Sequence, residues 1–411
     1  MLAGWPDPAL PGDLRLIGFD EACRRVAAIA TPVGSEQVSI DEAWNRVLAA
    51  PVIARRSAPE AAVSAMDGYA VREADLASAP VRLRLVGESF AGSPDGGPQL
   101  AAGACVRIFT GAPMPAGADR VVIQEVARRD GDAVMFAERP TSARHVRAAG
   151  SDFAAGDVLL EAGTRLTPQA LVAVAAADRD AVEVHIRPRV VVLSTGDELA
   201  APGQTANVPG AIPESVSFGV AALARAWGGE VVGRQRLGDD LPRLAQAAGE
   251  ALDDAHVVVV TGGASVGERD FSKAMFQQFG LRLEFEKVAI KPGKPVWVGC
   301  IGHRIVVGLP GNPSAAMVTA RLFLAPILAG RSGRRPEDAW AWRTARLVTG
   351  LGACGARECF HRGRGDFDGV RPVGNQDSSA QKDLATADLL IRRRPEARAL
   401  DAGEIVEVLA F

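Results

Sequence analysis

The chain has 411 residues, 48% of them hydrophobic and 23% charged, with a formal net charge of −3. A chain of this length divides into several cores, no apolar run approaches the roughly 20 residues of a membrane span, and the balanced charge offers no field for a nucleic-acid partner. Five scattered cysteines without a C-x-x-C spacing argue against a disulfide framework, a zinc knuckle or an iron–sulfur site, and residues 1–13 lack the basic and apolar regions of a secretory signal, so the cytoplasm is the expected location.

In chain order, residues 19–30 and 40–50 have the apolar spacing of short amphipathic helices with early acids such as Asp20 and Asp41. Strands are predicted at 81–86, 104–109, 120–126 and 133–137, separated by Gly/Pro/Asp clusters, as a small β domain. Helical spacing returns at 168–177. From Pro188 onward apolar strands (190–193, 231–236, 257–260, 285–290 and 305–309) alternate with helices (217–227, 241–252, 271–279 and 313–328). Such alternation predicts a parallel sheet with helices on both faces. After an Arg/Gly/Pro break at 330–336 short strands resume, ending at 405–408, as a C-terminal β module.

Ligands of an open α/β sheet sit beyond the carboxyl ends of its strands. Four loops are expected there: Ser-Thr-Gly-Asp-Glu at 194–198, Thr-Gly-Gly-Ala-Ser-Val-Gly-Glu-Arg-Asp at 261–270, Lys-Pro-Gly-Lys-Pro at 291–295 and Pro-Gly-Asn-Pro at 310–313. Glycine allows close backbone approach, successive amides form anion nests, and helices opening after Asp270 and Asn312 add positive N-terminal ends. The lysines point the same way. Four of the five, Lys273, Lys287, Lys291 and Lys294, lie between 273 and 294, whereas the other cationic positions, Lys382 aside, are arginine. A compact, mobile ammonium suits oxyanion capture. Asp197, Glu198, Glu268, Asp270 and the Asp239-Asp240 pair would repel such a ligand unless a hard cation bridged them, as Mg2+ does with one or two carboxylates and phosphate oxygens. Asp240 and Glu268 also read as helix caps or solvated acids. The chain has no H-x-x-x-H pair, G-x-S-x-G elbow or Walker loop.

Further motifs are Ser-Ala-Met-Asp-Gly-Tyr-Ala-Val-Arg at 64–72, which holds the only tyrosine, Arg-Ile-Phe-Thr-Gly-Ala-Pro at 107–113 with Gln124-Glu125 downstream, and Gly150-Ser151-Asp152. Together with the four loops they resemble the molybdopterin molybdenumtransferases, the family of MoeA and the E domains of gephyrin and plant Cnx, over residues 18–411. Position by position, the resemblance places functional acids on Asp67, Asp152, Glu198, Asp239 and Asp270 and a threonine on Thr110. It places binding positions on Thr195, Gly196, Gly262, Gly263, Ser265, Lys287, Lys291, Lys294, Pro310, Gly311, Asn312, Pro313, Arg357 and Ser378.

The resemblance implies an elongated, multidomain α/β plus β chain. A helical linking domain (15–52 and 153–187), whose first helix can pack on the α/β domain, carries an inserted β domain (53–152). A three-layer α/β domain similar to the molybdopterin adenylyltransferases (188–334) and a C-terminal β-barrel (335–411) follow. It further implies a homodimer whose cleft lies between the α/β and C-terminal domains of one subunit and the β domain of the other. The implied reaction inserts molybdate into adenylylated molybdopterin, with Mg2+-assisted cleavage of the pyrophosphate bond and release of AMP. A molybdopterin adenylyltransferase and recipient molybdoenzymes or their chaperones are the implied partners. By charge, Arg357, Ser378 and Lys291 suit the oxyanion, while Asp67, Asp239, Asp270 and Glu198 suit metal or water handling, the last three as Mg2+ ligands.

Two segments depart from the family pattern. Glu214-Ser215-Val216 stands where Asp-Ser/Thr-Asn is usual, which removes an amide from the nucleotide-side pocket. Ser314-Ala315 stands where Val-Ser is usual, which shifts a hydroxyl by one position, about 100° on a helix. They leave room for a paralogue with altered metal or substrate, or for a non-catalytic cofactor-binding or scaffold protein. Adenylylation itself is disfavoured, because family members that adenylylate carry Gly-Gly-Thr-Gly where this chain has Gly262-Gly263-Ala264-Ser265.

Overall fold

The computed structural model describes residues 16–94, 96–138, 141–262 and 271–411. Helix α1, Phe19–Ile29, forms as its spacing predicts: Phe19, Ala22 and Val26 are buried on one face, and Asp20 and Glu21 sit in the first turn near the positive end of the helix dipole. The segment 40–50 forms only a 3-10 turn at Ile40–Glu42. Asn45 takes a left-handed φ of 63°, and the amides of Asn45, Leu48 and Ala49 donate to the carbonyls of Leu166, Thr164 and Glu183. Long-range backbone pairing thus displaces the helix that the apolar spacing favoured.

Gly68–Val71 (β1), Val81–Ser89 (β2), Ala104–Ile108 (β3), Arg120–Ile123 (β4), Ala127–Asp130 (β5) and Ala133–Phe136 (β6) form a sheet in the order β4-β1-β3-β2-β6-β5. Alternate side chains fill two cores, Tyr69, Val122 and Phe136 on one face and Ala70, Val106 and Val121 on the other. The predicted strand at 120–126 ends at Ile123, where a 3-10 turn, Gln124–Val126, leads into β5. Helix α2, Pro168–Ala176, has proline in its first turn and Thr167 as its cap, the hydroxyl accepting from the Ala170 amide at 3.2 Å. It packs in a separate core with Leu48, Val52 and Val184.

The central sheet contains Arg189–Thr195 (β7), Glu230–Leu237 (β8), Val257–Thr261 (β9), Arg282–Phe285 (β10), Trp297–Ile301 and Arg304–Leu309. The predicted strand at 285–290 is in fact two pieces. β10 stops at Phe285, and Ile290–Lys291 (β11) leaves for the C-terminal sheet. With Trp297–Ile301 as β12 and Arg304–Leu309 as β13, the order is β8-β7-β9-β13-β12-β10. The first four strands are parallel, β12 runs antiparallel to β13, and β10 pairs antiparallel with β12, so the sheet is mixed rather than parallel throughout.

β9 is buried on both faces, as a central parallel strand requires. Val257 and Val259 pack with α1, α3 (Val216–Ala226) and α5 (Pro313–Arg331), and Val258 and Val260 pack against α4 (Leu241–Asp254). By length and composition α5 could cross a membrane, which the sequence reading had not allowed for, but most of it is buried inside this core. The predicted helix at 271–279 shortens to Phe271–Ala274 and a 3-10 turn at Gln277–Phe279.

The last sheet holds Arg343–Arg346 (β14), Glu358–Asp366 (β15), Gly369–Pro372 (β16), Leu389–Arg393 (β17) and Ile405–Ala410 (β18) in the path β11-β15-β17-β18-β14. β16 pairs with β15, and Leu347, just after β14, bridges Val370 of β16. Buried Arg392 ties this sheet to α1: it pairs with Glu358, reaches Asp20 at 2.7 Å and lies 4.9 Å from the rings of Phe19 and Trp342.

Candidate active site

Because β7, β9 and β13 are neighbours and parallel, the loops after them emerge on one edge. A cavity of about 610 Å³ opens there, with Thr195, Glu198, Gly262, Gly311 and Pro313 among its walls. Gly262 has a φ of +91°, and a Cβ on it would stand 2.3 Å from the Thr195 carbonyl oxygen, so these loops meet backbone to backbone. Gly196 holds the next loop in place by donating its amide to the Leu237 carbonyl at 3.1 Å.

The 214–216 segment lines this cavity and has a structural use. Buried Glu214 accepts from the Ser217 amide at 2.8 Å, the Ser217 hydroxyl at 2.6 Å and the Ser194 hydroxyl at 3.3 Å, while Thr261 Oγ1 donates to Ser194 Oγ at 3.1 Å. The carboxylate therefore caps the first turn of α3 and ties it to two strand ends, a role the sequence reading missed.

The lysine loop arrives by another route. β11 pairs with β15 in register, Lys291 opposite Cys359, so the loop is presented by the C-terminal sheet and not by a strand end of the central one. A second cavity, about 910 Å³, has Lys291, Lys294, Arg357 and Ser378 in its walls, together with Cys354, Cys359 and His361. Pro295, Pro310 and Asn312 line both cavities and make them adjoining compartments. Burial pushes the Cys359 thiol up to about 11, with Cys354 adding to it and Lys291 and Arg357 opposing. Burial, with Arg393, Lys291 and Arg362 nearby, lowers His361 to about 4.

The expected anion site at the start of α5 is already occupied by the chain itself. Pro313 has no N–H, and the amides of Ser314 and Ala315 both donate to the Ser378 carbonyl, at 2.9 and 3.3 Å. Asn312 Nδ2 donates to Ser378 Oγ at 3.1 Å and Ser314 Oγ to the Ala380 carbonyl at 2.6 Å. The positive helix end is thereby spent on clamping residues 378–380 over the cleft, and the Ser314 hydroxyl belongs to that clamp.

Other predicted residues lie elsewhere. Asp67 Oδ1 accepts from both the amide and the hydroxyl of Thr110, each at 2.8 Å. These two bonds, with Arg107 nearby, hold the Asp67 carboxyl below its ordinary range. The pair sits on the β1–β3 sheet and lines neither compartment. Exposed Asp152 is anchored through its amide to the Ala58 carbonyl, and Lys287 through its carbonyl to the Ile17 amide; neither lines the cleft. The Asp239 amide donates to Asp197 Oδ1 at 3.0 Å, and of the proposed Mg2+ ligands among the described residues, Glu198 lines the strand-end cavity and Asp239 does not. Asp240 caps α4 by accepting from the Arg243 amide at 2.9 Å, and Lys273 pairs with Glu286 at 2.8 Å. Gly263, Ser265, Glu268 and Asp270 lie outside the described residues.

Residues 17–177 match the MoeA N-terminal region (domain I and II), 191–330 a probable molybdopterin binding domain, and 344–411 the MoeA C-terminal region (domain IV). A molybdopterin molybdenumtransferase of Haemophilus influenzae is 35% identical, over 96% of this chain and 99% of that one. The chain belongs to the molybdopterin molybdenumtransferase family. A Bacillus subtilis molybdopterin molybdenumtransferase is 31% identical over 96% of this chain and 94% of its own length. The crystal structure of a molybdopterin biosynthesis MoeA protein from Pyrococcus horikoshii superposes with a TM-score of 0.83 at 28% identity, covering 96% of this chain and 99% of that one. The protein is thus a multidomain α/β enzyme of molybdenum cofactor biosynthesis.

For a molybdenumtransferase, the motif reading named residues that line both cavities but not the cysteines and histidine in the wall of the larger one. Cys359 and His361 are visible in sequence as an i, i+2 pair on one strand face, whereas Cys354 joins them only through the fold of its loop.

Proposed function

We propose that the cleft inserts molybdate into adenylylated molybdopterin, breaking the pyrophosphate bond and releasing AMP. The supporting observation is the common wall of Pro295, Pro310 and Asn312 between a glycine-lined compartment at the strand ends and a basic one holding Lys291, Lys294 and Arg357. A ligand with a nucleotide end and an oxyanion-receiving end calls for two such adjoining spaces, each within the usual size of small-molecule sites. In this reading Thr195, Gly196, Gly262 and Gly311 allow close backbone approach on the nucleotide side. Lys291, Arg357 and Ser378 hold the oxyanion, and Lys294 adds charge at the mouth.

Glu198, Asp239 and Asp270 offer the hard oxygen donors that suit Mg2+, which when bound offsets negative charge on the anhydride. Asp67 and Thr110, pre-set by their mutual hydrogen bonds, fit a role in the cleft of a second subunit within a homodimer, and Asp152 is assigned to the same role. The finer architecture belongs to the same proposal: a linking helical domain, an inserted β domain, and a C-terminal barrel closed through the Leu347–Val370 bridge. So do a cytoplasmic location and exchange with an adenylyltransferase and recipient molybdoenzymes or their chaperones.

The test is incubation with adenylylated molybdopterin, Mg2+ and molybdate, following AMP and metal-loaded cofactor together. Coupled release and loading is the expected result. AMP without loading, consumption of ATP, or tight binding without turnover would each overturn the proposal, in favour of an altered paralogue, an adenylyltransferase or a scaffold respectively.

A further inference from the structure

Three soft donors on the cleft wall have no part in the reaction above. Cys359 and His361, two apart on β15, project to the same side of the strand. The preceding loop brings Cys354 beside them, its amide held by the Ala397 carbonyl at 2.8 Å. One ligand atom from each of Cys354, Cys359 and His361 lies within 4.8 Å of the other two, and this is the one such three-donor group of His, Cys, Asp or Glu among the described residues. Both cysteines are free, and all three residues line the 910 Å³ compartment. A second observation points to a missing ligand: His361 Nε2 is buried and has no hydrogen-bond partner, and it is the one imidazole among the buried unpartnered side-chain nitrogens of the described residues, the rest being guanidinium nitrogens.

We propose that Cys354, Cys359 and His361 form a three-ligand site for a thiophilic d10 cation of the Zn2+ class, with its fourth coordination position open to the cleft. The donor set decides the class, since thiolate and imidazole select such ions whereas Mg2+ takes oxygen, so this site is distinct from the carboxylates near the strand ends. The spacing suits it: with metal–sulfur bonds of about 2.3 Å in a tetrahedron the sulfurs stand roughly 3.8 Å apart, which needs a closure of about 1 Å at most. On binding, two metal–sulfur bonds form, two S–H bonds break and two protons pass to solvent, while the imidazole gives its lone pair. A dication with two thiolates is neutral overall, so Lys291 and Arg357 face no added positive charge. Three protein ligands and one open position are the arrangement of zinc sites that accept an exogenous ligand. The site is argued from these donors alone and does not depend on the proposed reaction.

The test uses the reduced, untagged, full-length chain stripped of metal with a chelator and titrated with Co2+ and then Zn2+. One equivalent of Co2+ is expected to release about two protons and give tetrahedral d–d bands and thiolate-to-cobalt charge transfer, which one equivalent of Zn2+ then abolishes by displacement without further proton release. Cys354→Ala, in the less buried loop, and Cys359→Ala are each expected to weaken Zn2+ by about tenfold or more and diminish the charge transfer, with circular dichroism reporting an intact fold. His361→Gln is expected to weaken binding but keep the charge transfer. Octahedral cobalt spectra, affinity unchanged in a folded Cys354→Ala protein, or a Cys354–Cys359 disulfide persisting in the reduced preparation would each overturn the proposal.

Discussion

Lys291 owes its place to two residues of backbone pairing. The Ile290–Lys291 strand lies against Glu358–Cys359, and this pairing brings its ammonium into a compartment with Arg357 and Ser378. Lys291→Ala is expected to lower kcat/KM for coupled AMP release and metal loading by about 10- to 100-fold, the worth of a hydrogen bond from a charged group of about 1.5–3 kcal/mol. Lys273→Ala should leave the same assay unchanged, because its ammonium is engaged with Glu286 outside the cleft. The clustering of lysine in an arginine-rich chain was therefore a usable signal, but it did not distinguish members. Lys291 and Lys294 line the cleft, whereas Lys273 and Lys287 do not, and nothing within those few residues encodes the difference.

At the scale of elements, the outcome turned on which backbone groups found distant partners. The 40–50 segment has helical spacing, yet Arg165 and Val184 bridge Val47 and Leu48 and hold it open. The C-terminal sheet is held to α1 by Arg392, which is 5% exposed, with Glu358 at 6%. Arg392→Ala leaves that buried carboxylate with only Arg394, at 3.9 Å, and is expected to cost about 3 kcal/mol, read in a denaturant transition followed by Trp342 fluorescence. A milder dependence on pH comes from His256 just before β9. Its Nδ1 accepts the Arg189 amide at 2.9 Å, which requires the neutral ring. Burial, with Arg331, His303, Arg189 and Arg304, lowers its pKa from 6.5. The unfolded chain then takes the proton first, so stability should decline as pH falls below about 6.5, and a pH series of denaturation curves should flatten in that window for His256→Gln.

For the whole molecule, the Asp67–Thr110 pair and the Lys291–Arg357 compartment belong to different sheets, and in one chain the first does not line the second. If two subunits share each cleft, Asp67→Ala and Lys291→Ala proteins, each reduced to a small residual activity alone, should regain activity on mixing and subunit exchange. Half of the dimers are then mixed and each has one intact site, so about a quarter of wild-type activity is expected. Absence of any recovery in exchanged dimers would show that each chain works alone.

The sequence by itself determined the longer elements of the α/β region and the chemistry available to them. Period-two and 3.6-residue apolar patterns placed β7, β8, β9 and β13 of the central sheet and helices α1, α3, α4 and α5, but not β12, and glycine beside hydroxyls, acids and lysines marked the loops, because those signals are written within a few neighbouring residues. Only the tertiary structure decided that residues 286–289 divide one apolar run between two sheets, that Ser378 takes the amides at the start of α5, and that Cys354 meets Cys359 and His361. Each of these is a choice among distant partners, settled by where buried backbone and side-chain polar groups can be satisfied across the assembled fold.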